Sequence, residues 1–427
     1  MTDVVSAAVN DWGFLPVMAR RAAFGKGLLA VVTCYLISVA LPGKAQVDTD
    51  NWPLVLEQAH GQELYFNTWG GESRINGYLA WVAAQVRERF AISLQHVRLA
   101  DTALAVSRVL AEKQAGNTDG GTIDLLWVNG ENFAALKNNN LLFGPWSEQL
   151  PNFALVDADN FPEMRADFTV PVDGLEAPWL RAQLIFYFDS AVIADPPQSI
   201  PALLTWAKNN PGEFTYPKPP AFLGSTFLKQ ALLELARDTD ALFAPVEQSD
   251  FEQITAVLWQ YLDQLHPYLL RKGRYFPSNG AQLRRLMADG DTALAFSFSP
   301  NEVITGIRNR ELPETARSYV LKGGTIANVS FLAIPFNASN KAAAMVVANY
   351  LLSAEAQAQA SLPEQMGSTT VLSMAQLNTQ QQALFDAIDL GPGALSPQDL
   401  ARTRQEPHPS WMPALEAAWL TRYNRRQ

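Results

Sequence analysis

Apolar residues along the first half of the chain alternate between short strand-like runs and longer stretches with helical spacing. An apolar run at 63–68 leads into the turn Trp69-Gly70-Gly71, and apolar residues then recur at helical spacing as far as Phe90. The same pattern predicts strands at 92–99 and 123–128 and helices around 104–110 and 133–136. Strands that alternate with helices indicate an α/β fold in which a parallel sheet is covered on both faces.

The pattern loosens between 146 and 178 and then resumes in the second half. Ser199 followed by Pro201 is a helix-start signal, and Gly224-Ser225-Thr226 predicts another helix start. The remaining apolar segments predict strands at 183–188, 213–216, 292–298 and 329–334, helices at 254–265, 281–287 and 340–352, and a helical C-terminal tail. The second half therefore repeats the first, which predicts a second domain of the same kind.

Composition sets limits on the class of protein. The chain has 427 residues, of which 48% are hydrophobic and 17% charged, and a formal charge of -10. Such a chain is long enough for two or three domains with cores of their own, so a disordered protein is excluded. The acidic balance, without a block of Lys and Arg, gives no surface for phosphate backbones, so nucleic acid is not an expected partner.

The N-terminal region 1–45 has the features of a cleaved secretory signal peptide. Arg20, Arg21 and Lys26 precede an apolar run at 28–41, which is too short for a transmembrane helix of about 20 residues. Gly43 and Ala45 are small residues at the positions that a signal peptidase reads. Asp3 and Asp11 make the first seventeen residues a poor positive region, which favours Met18 as the start. The expected location is therefore the periplasm. Lipidation of Cys34, the single cysteine, is an alternative.

Polar and aromatic residues collect at the predicted ends of strands, where open α/β sheets bind ligands. Three of the four groups precede a predicted helix start, where backbone N–H donors and the positive end of the helix dipole favour a ligand. The alternative is that these residues only form turns and caps. The groups are Trp69, Gly70 and Gly71; Asn129, Gly130 and Glu131; Gly224, Ser225 and Thr226; and Ser297, Ser299 and Asn301.

The order of these segments resembles the bacterial solute-binding proteins of ABC importers. The resemblance is carried by the Trp-Gly-Gly turn, by TIDLLWVNGENFAALKNNNLL at 122–142, by the segment 183–227, and by RLMADGDTALAFSFSP at 285–300. It implies a type II periplasmic-binding-protein fold, with two Rossmann-like lobes joined by a hinge. Lobe 1 would comprise 60–180 and 329–355, lobe 2 would comprise 181–328, and 356–427 would be a C-terminal helical segment packing on the lobes. Hinge crossings would lie at 181–184 and 326–329.

The resemblance also implies a function and a site. A small solute is bound between the lobes without covalent chemistry, cofactor or metal, and is delivered to the permease and ATPase complex of the inner membrane. The long segment 138–178 and the C-terminal helix at 411–423 depart from smaller members, so no contact is carried over there. The implied ligand positions are Trp69, Gly70, Gly71, Trp127, Asn129, Ser225, Thr226, Ser297 and Phe298.

The character of the solute is left open between two classes. Trp69, Trp127 and Phe298 suit stacking or cation–π contact with a flat or cationic solute, and Glu72 and Glu131 lie on converging loops. The rival solute is an anion held at the same helix starts, with Arg181 as its natural partner.

Two other classes of function remain as alternatives. An exported hydrolase would need distant carboxylates such as Glu72, Glu131 and Glu302. A zinc enzyme has little support, because His60, His96, His266 and His408 are isolated in the sequence. The third class is an envelope interaction protein without a transport role, in which the eleven tryptophans would fill the cores.

The signal-peptide interpretation makes a direct prediction about the exported protein. Its N-terminus should be Gln46, because Gly43 and Ala45 mark the favoured cleavage site after the apolar run. Intact-mass measurement of the protein from the periplasmic fraction checks this, and a mass that retains the run 28–41 would contradict it.

Overall fold

Most of the predicted strands form, with bounds that differ by a few residues. The structure, a computed structural model, describes residues 47–159, 161–391 and 394–423. The signal-peptide region 1–45, with Met18 and Cys34, lies outside the described residues. The strands are β1 (Glu63–Trp69), β2 (Ser93–Leu99), β3 (Leu125–Val128), β4 (Ala166–Asp167), β5 (Val170–Pro171), β6 (Glu176–Gln183), β7 (Ile185–Asp189), β8 (Leu294–Ser297), β9 (Ala316–Tyr319), β10 (Thr325–Ala333), β11 (Thr369–Thr370) and β12 (Thr403–Arg404).

The predicted helices also form, and local signals explain several of their starts. Ser199 accepts a hydrogen bond from the N–H of Ala202 at 3.1 Å, so it caps the helix that its position before Pro201 predicts. The helices are α1 (Trp52–Ala59), α2 (Ser73–Phe90), α3 (Ala103–Gln114), α4 (Gly130–Asn138), α5 (Ile200–Asn209), α6 (Phe222–Leu235), α7 (Phe251–Leu265), α8 (Gly280–Ala288), α9 (Glu302–Arg308), α10 (Lys341–Leu351), α11 (Ala354–Ser361), α12 (Thr379–Asp386), α13 (Pro397–Leu400) and α14 (Trp411–Tyr423).

The first half of the fold is built on a mixed sheet with the order β11-β6-β10-β3-β1-β2. The short strand β12 pairs with β10 outside this order. β1 pairs in parallel with β2 and with β3, as the alternation of strands and helices predicts. β10 runs antiparallel to both β3 and β6. A hydrophobic core covers this sheet, and its largest buried side chains include Phe66, Tyr78, Phe133, Trp146 and Trp179.

The second sheet corrects the expectation that the second half repeats the parallel pattern. β7 lies between β8 and β9 and pairs antiparallel with both. The spacing of apolar runs predicts strands but does not fix their direction, which depends on whether each connection returns at the same end of the sheet or crosses over to the other end. A separate hydrophobic core surrounds this sheet, and it includes Phe186, Tyr216, Phe227, Phe296, Trp411 and Trp419. The molecule is thus an α/β protein with two lobes.

Two segments differ from their predicted structure. The strand predicted at 213–216 lies outside both sheets, although Glu213 and Phe214 accept backbone hydrogen bonds through their carbonyls. Prolines at 217, 219 and 220 lack the N–H groups that would continue a ladder. In contrast, β6 was not predicted, because it is buried along most of its length and so lacks the alternation of a half-buried strand.

β6 and β10 cross side by side from one core to the other. Leu180 belongs to the first core and Leu184 to the second, while Ile326 belongs to the second core and Val329 to the first. The two crossings pair antiparallel, and the N–H of Leu184 donates to the carbonyl of Ile326 at 2.8 Å. They coincide with the crossings implied at 181–184 and 326–329.

The C-terminal segment contributes to both cores. α11 is largely buried and belongs to the first core, whereas α14 packs into the second core through Trp411, Leu415, Trp419 and Tyr423. The indole N–H of Trp419 donates to the hydroxyl of Tyr216 at 2.8 Å. α14 is therefore part of the second lobe's core. Of the helices that the structure describes, none has the length and apolar character needed to cross a membrane.

The role of α14 predicts a large effect of one substitution. Trp419→Ala should lower the free energy of unfolding by about 3–5 kcal/mol, because it removes a fully buried aromatic side chain. Thr421→Ala, on the exposed face of the same helix, should change it by about 0.5 kcal/mol or less. Urea denaturation of both variants checks this, and equal effects would show that α14 is only loosely attached.

Candidate functional site

The turn after β1 has a shape that requires its glycines. A Cβ on Gly71 would lie 2.5 Å from the ring of Trp69, and one on Gly70 would lie 2.5 Å from the side chain of Arg98. Both contacts are shorter than side chains tolerate, so the backbone can pass there only without a Cβ. Trp69 remains 40% exposed and presents its ring at this strand end.

The end of β3 meets a hairpin that the sequence did not predict. Asn129 begins α4 without capping it through its side chain. Instead the N–H of Gly130 donates to Oδ2 of Asp167, at the end of β4, at 2.7 Å. Trp127 packs edge-on against Trp179, with ring centroids 5.1 Å apart, so it is a partly buried member of the first core. The hairpin β4–β5 thus occupies the space in front of the first turn of α4.

α6 begins at Phe222, three residues before the predicted start at Ser225, because the chain becomes helical directly after Pro219 and Pro220. Ser225 and Thr226 are therefore buried inside the helix, and their hydroxyls already have partners. Ser225 donates to Oε1 of Glu416 on α14 at 2.5 Å, and Thr226 donates to the carbonyl of Phe222 at 2.8 Å.

The last predicted positions lie on β8 and β6. Ser297 donates to Oε2 of Glu302 at 3.3 Å, and Phe298 packs edge-on against Phe222. The guanidinium of Arg181 lies 3.5 Å from the ring centroid of Phe161 and 3.9 Å from Glu163, and burial lowers its pKa. The structure therefore brings Phe298 to the start of α6, whereas Arg181 is already engaged with its neighbours.

Charged residues from both lobes meet in what we call the salt-bridge cluster: Glu72, Arg74, Arg284, Glu302 and Glu311. Arg284 contacts Glu302 at 2.7 Å and Glu311 at 3.1 Å, and it reaches Glu72 of the other lobe at 3.8 Å. Arg74, which pairs with Glu72, lies 3.9 Å from Glu302. Burial works to lower the pKa of Arg284, but its carboxylate partners more than offset this and raise it.

A second group, which we call the acidic cluster, consists of Glu131, Asp167, Lys229, Glu406 and Glu416. Lys229 on α6 is 1% exposed and contacts Oε2 of Glu406 at 2.6 Å. Its ammonium also lies 4.7 Å from the ring centroid of Phe168, in the hairpin of the first lobe. The cluster thus joins the start of α4, the hairpin, α6 and the C-terminal segment.

Burial raises the pKa of three carboxyl groups in the acidic cluster. The pKa of Glu131 rises to about 7, with Glu416 and Glu406 adding to the effect and Lys229 opposing it. The pKa of Asp167 is well above its usual range, first because of burial and then because Glu131 and Glu406 lie nearby. Burial likewise raises the pKa of Glu416, against its hydrogen bond from Ser225. Burial therefore favours the neutral forms of these carboxyl groups, and Lys229 opposes it only in part.

The sequence analysis missed Asp167, Lys229, Glu406 and Glu416. Lys229 had a usable signal, since it is the one cation in an otherwise apolar or uncharged stretch of α6 before Glu234. The carboxylates come from segments far away in the sequence, and nothing in their neighbourhood marks them. The three carboxylates considered for a hydrolase do not lie together. Glu72 and Glu302 belong to the salt-bridge cluster, whereas Glu131 belongs to the acidic cluster.

Known proteins resemble this chain in sequence. The family model described as bacterial extracellular solute-binding protein matches residues 81–384. The chain belongs to this family. It is 44% identical to protein YnjB of Escherichia coli over 374 residues, which cover 87% of this chain and 94% of that protein. The same sequence segments also resemble the YnjB type within the family, and the 44% identity to this relative confirms that resemblance.

Solved structures show the same fold at low sequence identity. The spermidine/putrescine substrate-binding protein PotD of Streptococcus pneumoniae is 14% identical, with a TM-score of 0.58 over 85% of this chain and 99% of that one. The periplasmic binding protein AfuA of Actinobacillus pleuropneumoniae is 13% identical, with a TM-score of 0.57 over 85% and 99% of the two chains. The type II fold is confirmed, and this solute-binding protein is a component of an ABC transporter. Its relatives are transport proteins rather than enzymes.

The buried pair of the acidic cluster makes a prediction about stability. Lys229→Met should lower the free energy of unfolding by about 3–5 kcal/mol, because it leaves Glu406 buried without its cation. Replacing both partners, Lys229→Met with Glu406→Gln, should recover much of that loss.

The control is the exposed pair of Arg165 and Glu148, where Arg165→Met should change the free energy of unfolding by about 1 kcal/mol or less. Denaturant unfolding measures all three variants. Equal losses for Lys229→Met and Arg165→Met would show that the buried pair is not important for stability.

Proposed function

We propose that this solute-binding protein captures one small solute between its lobes in the periplasm and delivers it to a permease and ATPase complex in the inner membrane. Solute-binding proteins of ABC importers work with such components, and the signal-peptide features of region 1–45 support export. The boundaries of the lobes are proposed at 60–180 with 329–355 and at 181–328. The expectation that 356–427 packs on both is supported by α11 and α14.

The observation that supports this proposal most is the pair of crossings between two separate cores. β6 and β10 are adjacent and antiparallel where they pass from one core to the other. Two neighbouring strands can bend together at this point, so that one lobe rotates against the other while both cores stay packed. A solute that contacts both lobes would favour the closed arrangement.

Contacts far from the crossings determine which arrangement is favoured. Asn301 donates to the carbonyl of Gly367 at 3.0 Å, and Thr305 donates to the carbonyl of Pro363 at 2.6 Å, both from the second lobe to the first. The salt-bridge cluster adds charged contacts between the same lobes. Opening would break these contacts, so their strength sets the free energy that a solute must supply or release.

The proposed solute positions remain those at the strand ends, and the buried or engaged positions are set aside. Trp69, Gly70, Gly71, Asn129, Ser297 and Phe298 lie at strand ends where a solute could reach them. Ser225 and Thr226 are buried in α6, and Trp127 is partly buried against Trp179. An anion is disfavoured at Arg181, because its guanidinium stacks on Phe161 and lies beside Glu163.

The hinge proposal predicts that one arginine controls the balance between open and closed forms. Arg284→Met should increase the radius of gyration of the solute-free protein, because Glu302 and Glu72 then lose one of the two arginines that bridge them and keep only the more distant contact of Arg74 with Glu302. Arg285→Met, next to it on the exposed face of α8, should leave the radius unchanged.

The measurement is small-angle scattering with and without solute, after native mass spectrometry has identified the solute that the exported protein carries. Saturation with that solute should reduce the radius of gyration of the wild type and of both variants. A radius that changes neither with solute nor with Arg284→Met would indicate a rigid envelope protein or an enzyme.

A further inference from the structure

Carboxyl groups of the two lobes face each other across the interface between them. Glu131 lies in the first turn of α4 in the first lobe, and Glu416 lies on α14, which packs into the second core. The two side chains lie close enough for the charge of Glu416 to act on Glu131. Glu416 is also close to Asp101, in the loop between β2 and α3 of the first lobe. Like charges that meet in this way oppose closure of the lobes.

The lysine at this interface is engaged with another carboxylate. Lys229 on α6 contacts Oε2 of Glu406 at 2.6 Å, and these side chains are 1% and 2% exposed. Lys229 lowers the pKa of Glu131, but Glu416 and Glu406 oppose this effect. The close partner of Lys229 is therefore Glu406, and Glu131 is influenced by its charge from a greater distance.

Glu131 is placed so that it can exchange a proton with solvent. Its Oε1 accepts a hydrogen bond from Nδ2 of Asn132 at 2.9 Å, and its side chain is only partly buried. Burial nevertheless outweighs the hydrogen bond from its own backbone N–H and raises the pKa of Glu131 to about 7. Part of this burial comes from groups of the second lobe, so it depends on the lobes being in contact.

The order of strands in the first sheet determines how far each contact moves when the lobes rotate. β10 is one of the two crossing strands, and β3, β1 and β2 follow it in the sheet. Glu131 follows β3, whereas Asp101 follows β2, which lies two strand spacings, or about 10 Å, farther from the crossings. A rotation about the crossings therefore separates Glu416 from both residues, and from Asp101 by the greater distance.

We infer that closure of the lobes takes up one proton from solvent at the carboxyl group of Glu131, and that opening returns it. This inference deepens the proposed function, on which it rests, by naming a regulation of the same hinge movement. The proton binds a carboxylate oxygen of Glu131 and neutralises it, so that the side chain can lie beside Glu416 and Glu406. No other bond is formed or broken.

The sign of the pH dependence follows from the two forms. When the lobes are open, Glu131 is exposed to water and its pKa returns toward the ordinary value of 4.5, whereas in the closed form it is about 7. A raised pKa stabilises the closed form fully below pH 4.5, and this contribution is lost as the pH rises through about 7. Acid therefore favours closure, and alkaline conditions favour opening.

The charged groups around Glu131 come from several elements. On α3, which packs against α4, Glu112 accepts from the hydroxyl of Thr122 at 2.7 Å, and Lys113 donates to the carbonyl of Asn139 at 2.7 Å. These two side chains are thus directed away from the first turn of α4. The groups that face Glu131 or its partner Glu416 are Asp101, Asp167 in the hairpin β4–β5, Lys229 on α6, Glu406 and Glu416 itself.

Two other buried carboxyl groups are unsuited to this exchange. Asp167 is 1% exposed and Glu176 is 0% exposed, and burial raises the pKa of both well above the usual range. Asp167 lies in the hairpin and Glu176 on β6, both within the first lobe. Their burial is largely that of the lobe itself, so they remain neutral whether the lobes are open or closed.

The test measures the distance between the lobes of the solute-free protein at two pH values. Residues 46–427 contain no cysteine, so Ala111→Cys on α3 and Ala417→Cys on α14, both at exposed positions, can carry spin labels. Pulsed electron spin resonance then gives the populations of open and closed forms. The ratio of closed to open protein should rise about tenfold or more from pH 8 to pH 5.5.

Glu131→Gln in the labelled protein supplies the second arm. Its amide is neutral and its oxygen can still accept from Asn132, so the variant imitates the protonated side chain. It should be closed at pH 8 to the extent that the wild type is closed at pH 5.5, with a change of less than about threefold between the two pH values. Glu57→Gln, which makes the same change at an exposed position of α1, should behave like the wild type.

This comparison also removes the contribution of histidines, which titrate in the same range of pH. His96 shares a hydrogen bond with Thr68 at 2.8 Å, and His408 shares one with Ser410 at 2.9 Å, each inside one lobe. These pairs are present in both Glu131→Gln and Glu57→Gln. A pH response that persists in Glu131→Gln would therefore belong to other groups and would overturn the assignment of Glu131.

The outcomes separate this inference from the proposed function. If the solute recovered from cells closes the lobes but the wild type shows no change between pH 8 and pH 5.5, the proton linkage is wrong and the transport function stands. If Glu131→Gln is as open as the wild type at pH 8, Glu131 is not the group that takes up the proton. A label distance that changes neither with pH nor with that solute would contradict both.

Discussion

The antiparallel pairing of β6 with β10 is the constraint on which the rest of the structure depends. Each strand is part of the first lobe's sheet over most of its length and reaches the second core at one end. Because their hydrogen bonds hold the crossings side by side, the lobes cannot drift apart independently. The salt-bridge cluster and the hydrogen bonds from Asn301 and Thr305 add contacts between the lobes at a distance from this pair. The segments that follow β1 and β8 meet, because Arg74 lies 3.9 Å from Glu302.

Electrostatics then determine what that space can hold. Buried charges are unfavourable unless they are paired and hydrogen-bonded, and the two clusters satisfy this requirement to different degrees. In the salt-bridge cluster, Arg74 and Arg284 face Glu72, Glu302 and Glu311, which nearly balances the charge. In the acidic cluster, Lys229 faces carboxyl groups from the start of α4, the hairpin and the C-terminal segment, and burial raises the pKa of Asp167 and Glu131. The first cluster is suited to holding the lobes together, whereas burial in the second favours the neutral forms of its carboxyl groups.

Local apolar spacing predicted the order of elements from β1 to α4, whereas the crossings at 181–184 and 326–329 were implied by the family resemblance alone. It missed β6, whose buried length hides the alternation of a strand, and it placed the start of α6 three residues late. The strand ends at Trp69 and Asn129 were predicted from turn residues. The partners of those strand ends were not predicted, because Asp167, Glu406 and Glu416 reach the site through contacts between segments that are distant in the sequence. No local sequence pattern predicts such contacts.

These long-range partners show how a common fold acquires a particular chemistry. In the type II fold, the start of a helix after a strand offers N–H groups that suit an anion. Here the chain supplies its own carboxylates to those places, Asp167 at the start of α4 and Glu416 on the first turns of α6. Both carboxylates come from parts of the chain, the segment 138–178 and the C-terminal helix, for which the family resemblance implies no contact. At the start of α4 the carboxylate of Asp167 therefore occupies an N–H group that the fold would otherwise leave for a ligand.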